Sequence, residues 1–405
     1  MSDVQLNHLA QACQPATFGV EQKDVLDESY RKAEKMDAVN LSTNFNSNNT
    51  GIMHAICGLL LKNTESPIRV ELHKLNVYGM QKRFFTSASQ QLTAIVGPGS
   101  FFKSHVDTPK GFKMFGSLVV VLPTKHEGGS FSLRHHGREW VFKSAEIVSP
   151  QNSESPRAAF VAFYGDIEHE VSEVKSGYRV TLTYNLYFGD DKSTIARIAP
   201  SNMLPIDDTE AKIKKSIMEL FENPDFLPDG GRLGFPLYYQ YPINKDTKNL
   251  NELGESLKGT DAAIKRACDS LSLNISVKTV YESSKMNGVA CLLDKIADPG
   301  YDQVEEDIAL YLSRRREYNP RAACGLLVFD SDLTSLERIK EGYYGYYRLG
   351  YDRAKPILWV RPLAERNKVE SPYVRYGNEA SLDYAYGEIC LVVEVKASKD
   401  RKTHM

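Results

Sequence analysis

The segment HEVSEVKSGYRVTLTYNL, residues 169–186, decides the fold, because its second half alternates between the two faces of a β-strand. One face carries Arg179, Thr181 and Thr183, and the other carries only Val, Leu and Tyr side chains. An arginine on an inner face is costly unless it meets an anion, and its planar guanidinium suits a carboxylate. The segment therefore predicts a strand that holds a cation for an anionic ligand, with a satisfied internal ion pair as the alternative.

Short β-rich runs precede this strand from residue 69 onward, separated by Gly, Pro or polar turns. They are VELHKLNVY, SLVVVL, SFSLR, REWVFK and AAFVAFY. This spacing predicts a sandwich or barrel over residues 71–190. Residues 25–37 and 51–62 are rich in helix formers, so we expect a helical support region over residues 1–70.

The 405 residues are too many for one typical hydrophobic core. From residue 200 the pattern mixes helix and strand signals, which predicts an α+β C-terminal domain over residues 200–405. No histidine lies between His169 and His404. We therefore expect no metal site with two histidine ligands in that domain.

Composition argues against several classes of partner. The formal net charge of −2 provides no basic field for nucleic acid. The six cysteines are widely separated and contain no CxxC pair, so a zinc knuckle or a disulfide scaffold is not indicated. No stretch approaches the roughly 20 apolar residues that span a bilayer. We expect a cytoplasmic protein without a nucleic-acid or membrane partner, and its oligomeric state stays open.

Two histidines and one aspartate form a candidate metal site: His105 and Asp107 in HVDTP, and His169 in IEHEV. In an extended segment His105 and Asp107 point to the same side. A lone HxD motif is weak evidence, and for that motif alone a surface turn is the better explanation. With His169, however, the set matches the two-histidine, one-carboxylate triad that leaves positions open on Fe(II) for a chelating co-substrate and dioxygen.

The spacing between His169 and Arg179 suits a co-substrate anchor. A hairpin that turns at residues 175–177 would place His169 roughly 16 Å along the strand from the position facing Arg179. A bound metal, an extended five-carbon diacid and a guanidinium span about that distance. The spacing therefore favours 2-oxoglutarate over a lone structural metal, and Thr181 is expected to donate a hydrogen bond to the same distal carboxylate.

These motifs resemble the prolyl-4-hydroxylase-like Fe(II)/2-oxoglutarate-dependent oxygenases, and a fungal subgroup in particular. The resemblance covers most of residues 16–190 and includes GPGSFFKSHVDTPKG and YGDIEHEVSEVKSGYRVTLTYNL. It implies a double-stranded β-helix, or jelly roll, in which His105, Asp107 and His169 are the catalytic iron ligands and Arg179 anchors 2-oxoglutarate.

The resemblance also implies an activity. A C–H bond of the substrate is oxidised, most simply hydroxylated, while 2-oxoglutarate and O2 become succinate and CO2, and ascorbate is expected to support turnover. Whether the substrate is a small metabolite or a protein side chain stays open. A catalytically silent binding or regulatory module with the same fold, and a cupin-like metal protein that does not use 2-oxoglutarate, are the alternatives.

Residues 80–96, MQKRFFTSASQQLTAIV, depart from the family pattern, in which KLNVYG runs directly into PGSFFK. By the resemblance Tyr78 lies near the co-substrate. The insertion is expected to push Tyr78 away along the chain, so that residues 94–96 occupy its place in the strand. The segment is either a natural surface loop or a short intron translated in frame, and we favour the second slightly.

Overall fold

The computed structural model describes residues 1–20, 23–61, 67–79, 82–86, 92–96, 99–111, 113–148, 156–189, 208–243, 250–299, 307–313, 325–331, 354–363, 366–376 and 380–401. The chain is a sheet-rich protein of mixed α and β structure with two compact units, Met1–Leu204 and Pro205–Met405. No helix among the described residues is long and apolar enough to cross a membrane.

The first unit consists mainly of strands. In chain order the strands are β1 (Gln14–Pro15), β2 (Phe18–Val20), β3 (Lys23–Val25), β4 (Arg31–Lys32), β5 (Glu34–Asp37), β6 (Ile68–Gly79), β7 (Lys82–Thr86), β8 (Leu92–Val96), β9 (Phe101–His105), β10 (Met114–Val121), β11 (His126–Gly128), β12 (Phe131–His135), β13 (Arg138–Phe142), β14 (Ala159–Tyr164), β15 (Glu168–Val171) and β16 (Val174–Phe188). The helices are α1 (Asp3–Ala12), α2 (Ile52–Ala55), which a π-helical turn over Ile56–Leu60 continues, and α3 (Ser144–Val148), with 3-10 turns at Ala38–Asn40 and Ser47–Asn49.

Two main sheets build this unit. The larger has the order β1-β5-β6-β16-β10-β14, and β11 joins it by pairing with β16. The smaller has the order β13-β12-β15-β9-β4. The ring of Phe131 in the smaller sheet lies 5.4 Å, centroid to centroid, from that of Phe163 in the larger sheet. The two sheets therefore face each other across an aromatic contact.

The central strand β16 shows why the interior is partly polar. Its apolar face, with Val180, Leu182 and Leu186, is fully buried, as the alternation predicts. The opposite face is buried as well, because Arg179 and Thr181 are each only 1% exposed. The larger sheet thus presents a buried polar wall at the level of these two residues.

The predicted helix over residues 25–37 is wrong. These residues form the end of β3, a turn, β4 and β5. In β4 Arg31 pairs with Phe102 of β9, and in β5 Glu34 pairs with Val77 of β6. Pairing with both sheets overrides the helix propensity of the side chains. The predicted helix over residues 51–62 is confirmed by α2 and its π-helical continuation.

The predicted turn at residues 175–177 is also wrong. Strand β16 begins at Val174 and runs through Gly177, which has φ of +69°. A Cβ on Gly177 would lie 2.1 Å from the carbonyl oxygen of Lys125, so this glycine permits a close approach of the chain beside β11 rather than a hairpin. His169 and Arg179 therefore lie on different sheets, and the predicted distance along one hairpin does not apply.

The insertion, residues 80–96, forms a separate two-stranded sheet. Strand β7 pairs with β8 from Lys82 opposite Val96 to Thr86 opposite Leu92. The chain leaves and returns at one point, because Ser100 N donates to Gly79 O at 3.1 Å and Gly79 N donates to Ser100 Oγ at 3.1 Å. The prediction that residues 94–96 replace Tyr78 is wrong, since these residues pair with β7 instead.

We expect deletion of residues 80–96 to leave the first unit folded. Gly79 and Ser100 already contact each other, so the shortened loop closes without moving β6 or β9, and loop entropy changes stability by only about 1 kcal/mol. Thermal unfolding of the deletion variant and of the full chain tests this. Loss of the cooperative transition in the variant would show that the first unit needs residues 80–96 in order to fold.

The second unit contains a closed ring of strands. Its strands are β17 (Gly231–Pro236), β18 (Ile275–Glu282), β19 (Val289–Leu293), β20 (Leu326–Asp330), β21 (Lys355–Trp359), β22 (Lys368–Tyr376) and β23 (Ala380–Val395), and its described helices are α4 (Thr209–Glu222), α5 (Leu250–Glu255), α6 (Gly259–Ser270), α7 (Ile308–Ser313) and α8 (Ser398–Arg401). The order is β17-β21-β20-β19-β18-β23-β22, and β17 also pairs with β23, which closes six strands into a barrel-like sheet. The mixture of helices and strands predicted from residue 200 onward is confirmed by these elements. The domain boundaries proposed from the sequence stay predictions.

Candidate active site

The structure brings the three predicted metal ligands together. His105 at the end of β9 and His169 in β15 are directly opposite each other across the strand pair, with ring centroids 4.1 Å apart. Asp107 follows β9, and its Oδ1 lies 3.7 Å from Nε2 of His169. Ligand atoms of the three residues all lie within 4.8 Å of one another. Strand pairing thus brings His169 to His105 and Asp107, which lie 64 and 62 positions before it in the chain.

Hydrogen bonds orient each member of the triad. Nδ1 of His105 lies 2.8 Å from Lys103 O, and Nδ1 of His169 lies 2.9 Å from Ile167 O. A carbonyl only accepts, so both Nδ1 atoms donate and both Nε2 atoms keep a free lone pair. Ser117 Oγ donates to Oδ2 of Asp107 at 2.5 Å, which leaves Oδ1 for a metal. Such outer contacts are typical of metal ligands.

The two imidazoles lie in an apolar, aromatic environment. The ring of Phe102 stacks on His105 at 3.5 Å between centroids, and the ring of Phe163 lies 4.6 Å from that of His169. Burial, and after it the neighbouring His169, lowers the pKa of His105 to about 3. His105 is therefore neutral at pH 7, which is the form that binds a divalent metal.

We expect Ser117→Ala to weaken metal binding without unfolding the protein. The variant removes the hydrogen bond that fixes Oδ2 of Asp107, and losing such a contact costs about 10–100-fold in metal affinity. Titration with Fe(II) under anaerobic conditions measures the change. Ser132→Ala, at a buried serine of β12, is the matched control and should bind metal as the wild type does.

Arg179 is a buried cation whose guanidinium is only partly satisfied. Its Nε donates to Ser144 Oγ at 3.3 Å, while Nη2 is buried and has no hydrogen-bond partner among the described residues. Burial lowers the pKa of Arg179 to about 10, so the side chain still carries its charge at pH 7. The described residues provide no ion pair to Arg179, in contrast to the internal ion pair that the sequence left open as an alternative. An incoming carboxylate fits the unsatisfied nitrogen.

The other residues predicted near the co-substrate surround Arg179. Tyr78 pairs with Arg179 across β6 and β16, and the guanidinium carbon lies 5.5 Å from the tyrosine ring centroid. Thr181 is buried two residues further along the same strand. Gly129 has φ of +65°, and a Cβ there would lie 2.8 Å from Cδ of Arg179. A glycine is therefore needed where the arginine side chain passes.

A series of hydrogen bonds through Ser144 and His126 holds Nε of Arg179. Ser144 Oγ accepts from Arg179 Nε and lies 3.2 Å from Nε2 of His126, so the hydroxyl donates to that nitrogen. Nδ1 of His126 lies 2.8 Å from Thr124 O and donates to it. Burial lowers the pKa of His126, which keeps its ring neutral. Sequence reasoning missed Ser117, Ser144 and His126, because no local motif marks them and each meets its partner only through tertiary contacts.

A polar wall of the larger sheet faces the smaller sheet, which carries both histidines, and extends from Ser117, the residue that contacts Asp107, to Arg179. Ser117, which contacts Asp107, pairs with Asn185 on β16, whereas Val121 of the same strand pairs with Thr181. Paired residues and those two apart share a face, so Ser117, Thr181 and Arg179 all point toward the smaller sheet. The metal ligands are thus at one end of this wall and the guanidinium is at the other.

Comparison with known proteins agrees with this arrangement. Residues 90–187 match the model of the 2OG-Fe(II) oxygenase superfamily. The matched range contains His105, Asp107, His169 and Arg179. No curated protein matches the chain.

Three solved structures are similar at low sequence identity. An oxidoreductase of the 2OG-Fe(II) oxygenase family from Burkholderia pseudomallei is 14% identical over 45% of this chain and 78% of its own, with a TM-score of 0.26. A Pseudomonas putida prolyl-4-hydroxylase is 14% identical over 45% and 81%, with a TM-score of 0.24. The viral collagen prolyl hydroxylase of Paramecium Bursaria Chlorella virus-1 is 10% identical over 47% and 92%, with a TM-score of 0.24.

Proposed function

We propose that this protein is an Fe(II)/2-oxoglutarate-dependent dioxygenase that oxidises, most simply hydroxylates, a C–H bond of its substrate. The observation that carries the proposal is the pairing of a compact His-Asp-His cluster with a buried arginine whose Nη2 is unsatisfied. In a metal protein that binds no anionic co-substrate, Nη2 of this buried arginine would stay without a hydrogen-bond partner. We further propose that the first unit is a jelly roll in which the two facing sheets enclose the site.

Each residue has a defined task in this proposal. Nε2 of His105, Nε2 of His169 and Oδ1 of Asp107 hold Fe(II), since their remaining polar atoms are hydrogen-bonded elsewhere. Arg179 binds the distal carboxylate of 2-oxoglutarate, and Thr181 and the hydroxyl of Tyr78 complete that end of the site. Bound iron and 2-oxoglutarate supply the oxidising chemistry when O2 reacts, and the protein supplies orientation and a dry cavity.

Aromatic side chains cover part of the candidate metal site. Phe102 and Phe163 pack against the two imidazoles and shield them, while Asp107 stays partly exposed to solvent. We propose ascorbate as the reductant that restores the iron to Fe(II) after uncoupled turnover. The likeness to prolyl hydroxylases does not define the substrate, because the residues that contact it differ from those that hold the metal.

Anaerobic addition of Fe(II) and then 2-oxoglutarate to the metal-free protein tests the proposal. Chelation of iron by 2-oxoglutarate gives a visible charge-transfer band, which is expected in the wild type. On admission of air, succinate should form even without a primary substrate. A protein that binds Fe(II) but never shows the band would be a metal protein that does not use 2-oxoglutarate, and the proposal would then be abandoned.

A further inference from the structure

A β-bulge in β6 places His73 next to Lys110, in the segment that follows Asp107. Thr183 of β16 pairs with Lys74 of β6, but the next residue, Tyr184, pairs with Leu72, so His73 is an extra residue in β6. A bulge of this kind re-aims a side chain and is frequent next to active sites. Here it brings His73 within reach of the loop that follows the metal ligands, because Lys110 Nζ lies 3.2 Å from Nε2 of His73.

The two basic residues Lys74 and Lys110 lie at the metal end of the polar wall. Lys74 is opposite Thr183, two residues from the Asn185 position that pairs with Ser117, whereas Tyr78 is opposite Arg179. Lys110 is three residues after Asp107 in the chain. Lys74 and Lys110 are therefore at the end of the polar wall where Ser117 contacts Asp107, and Arg179 is at the other end.

A third cation reinforces this positive region. Arg31 is 2% exposed and crosses from the smaller sheet, donating to Asn76 Oδ1 of β6 at 2.8 Å. Its guanidinium stacks on Phe102 at 4.4 Å, and its Nε is buried without a hydrogen-bond partner among the described residues. Within the described part of the chain, Arg31, Lys74 and Lys110 have no ion-pair partner within 4.0 Å.

Burial and the neighbouring positive charges act together on Lys74. Burial, and after it the charge of Arg31, lowers the pKa of Lys74 to about 7, although Asp107 acts in the opposite direction. The charges of a divalent metal and Arg179 would be balanced by those of Asp107 and a dicarboxylate co-substrate. Binding of metal and co-substrate would therefore leave Lys74, Lys110 and Arg31 without a compensating anion.

We infer that Lys74 and Lys110, supported by Arg31, bind an anionic group of the primary substrate, a carboxylate or a phosphate, at the metal end of the polar wall. This inference rests on the proposed function and names the substrate class for it. The bulge at His73 positions the neutral imidazole beside Lys110, where it accepts a hydrogen bond from the ammonium group. With its anionic group bound by Lys74 and Lys110, the substrate would hold a nearby C–H bond close to the metal.

The test separates this site from the Arg179 site by filling the latter first. The full chain is loaded with Mn(II) and saturated with N-oxalylglycine, an unreactive isostere of 2-oxoglutarate, and then titrated calorimetrically with pentanoate, methyl phosphate and uncharged pentanamide. We expect at least one of the two anions to bind about tenfold or more tightly than pentanamide. Whichever anion binds better identifies the carboxylate or the phosphate as the recognised group.

Two variants assign the binding to the basic residues. Lys74→Met and Lys110→Met should each weaken anion binding about tenfold or more while the affinity for N-oxalylglycine is unchanged. Lys125→Met, at an exposed lysine beside β11, is the matched control and should behave as the wild type does. Three results would overturn this inference but not the proposed function. They are equal binding of pentanamide, absence of anion binding, and anion binding that neither variant changes. Failure of N-oxalylglycine to bind the wild type would instead overturn the proposed function.

Discussion

Replacing Asp107 by alanine is expected to abolish both the iron–2-oxoglutarate band and succinate formation. The variant removes the one anionic ligand of the cluster and leaves two neutral imidazoles facing a divalent cation. Losing a residue that only positions a ligand already costs about 10–100-fold in metal affinity, so losing the ligand itself should cost more than about 100-fold. The affinity for Fe(II), measured anaerobically, is the primary readout.

The control for this variant is Glu127→Gln, which removes an exposed carboxylate of β11. Glu127→Gln should bind Fe(II) and form succinate as the wild type does. The metal-free Asp107→Ala protein should also keep a cooperative thermal transition, because Asp107 is partly exposed and contributes one side-chain hydrogen bond, from Ser117. Succinate formation that persists in Asp107→Ala would remove this residue from the proposed metal site.

Replacing Arg179 by methionine is expected to change stability and co-substrate binding in opposite directions. Removing a buried charge without an ion-pair partner should leave the metal-free protein as stable as the wild type or more stable. The same change removes two hydrogen bonds to the distal carboxylate, each worth about 1.5–3 kcal/mol, so affinity for 2-oxoglutarate should fall by roughly 100-fold or more. A variant that merely damaged the fold would lose both stability and affinity for 2-oxoglutarate.

Thermal unfolding with and without co-substrate measures both effects together. In the metal-loaded wild type, 2-oxoglutarate at 100 times its dissociation constant should stabilise the native state by about 2.7 kcal/mol. Arg179→Met should show little of this stabilisation at the same concentration. Arg138→Met, at an exposed arginine of β13, should retain it. Full stabilisation of Arg179→Met would show that the carboxylate is held elsewhere.

The residues that carry the chemistry could be predicted from the sequence, whereas much of their spatial relation could not. His105 and Asp107 are two residues apart in an extended segment, and alternation alone places them on one side. The alternating pattern of β16 likewise predicts that Arg179 and Thr181 share a buried face. These are short-range properties, so they follow from residue order.

Errors arose wherever long-range pairing decides the structure. Residues 25–37 contain helix formers but become β-strands because β9 and β6 provide partners for their backbone. The hairpin expected at residues 175–177 does not form, because Gly177 lies inside a strand that pairs with β11. Tyr78 keeps its place opposite Arg179, because the insertion closes on Gly79 and Ser100.

Residue order alone predicted the candidate metal ligands and the buried arginine, and residues 90–187 match the 2OG-Fe(II) oxygenase superfamily model. Only the tertiary structure revealed Ser117 on Asp107, the Ser144–His126 support of Arg179, and the cations Arg31, Lys74 and Lys110 near the metal end. These contacts join residues far apart in the chain, and their geometry depends on strand register and on the bulge at His73. Local sequence patterns specify which face a side chain occupies, but the pairing of distant strands specifies what it meets there.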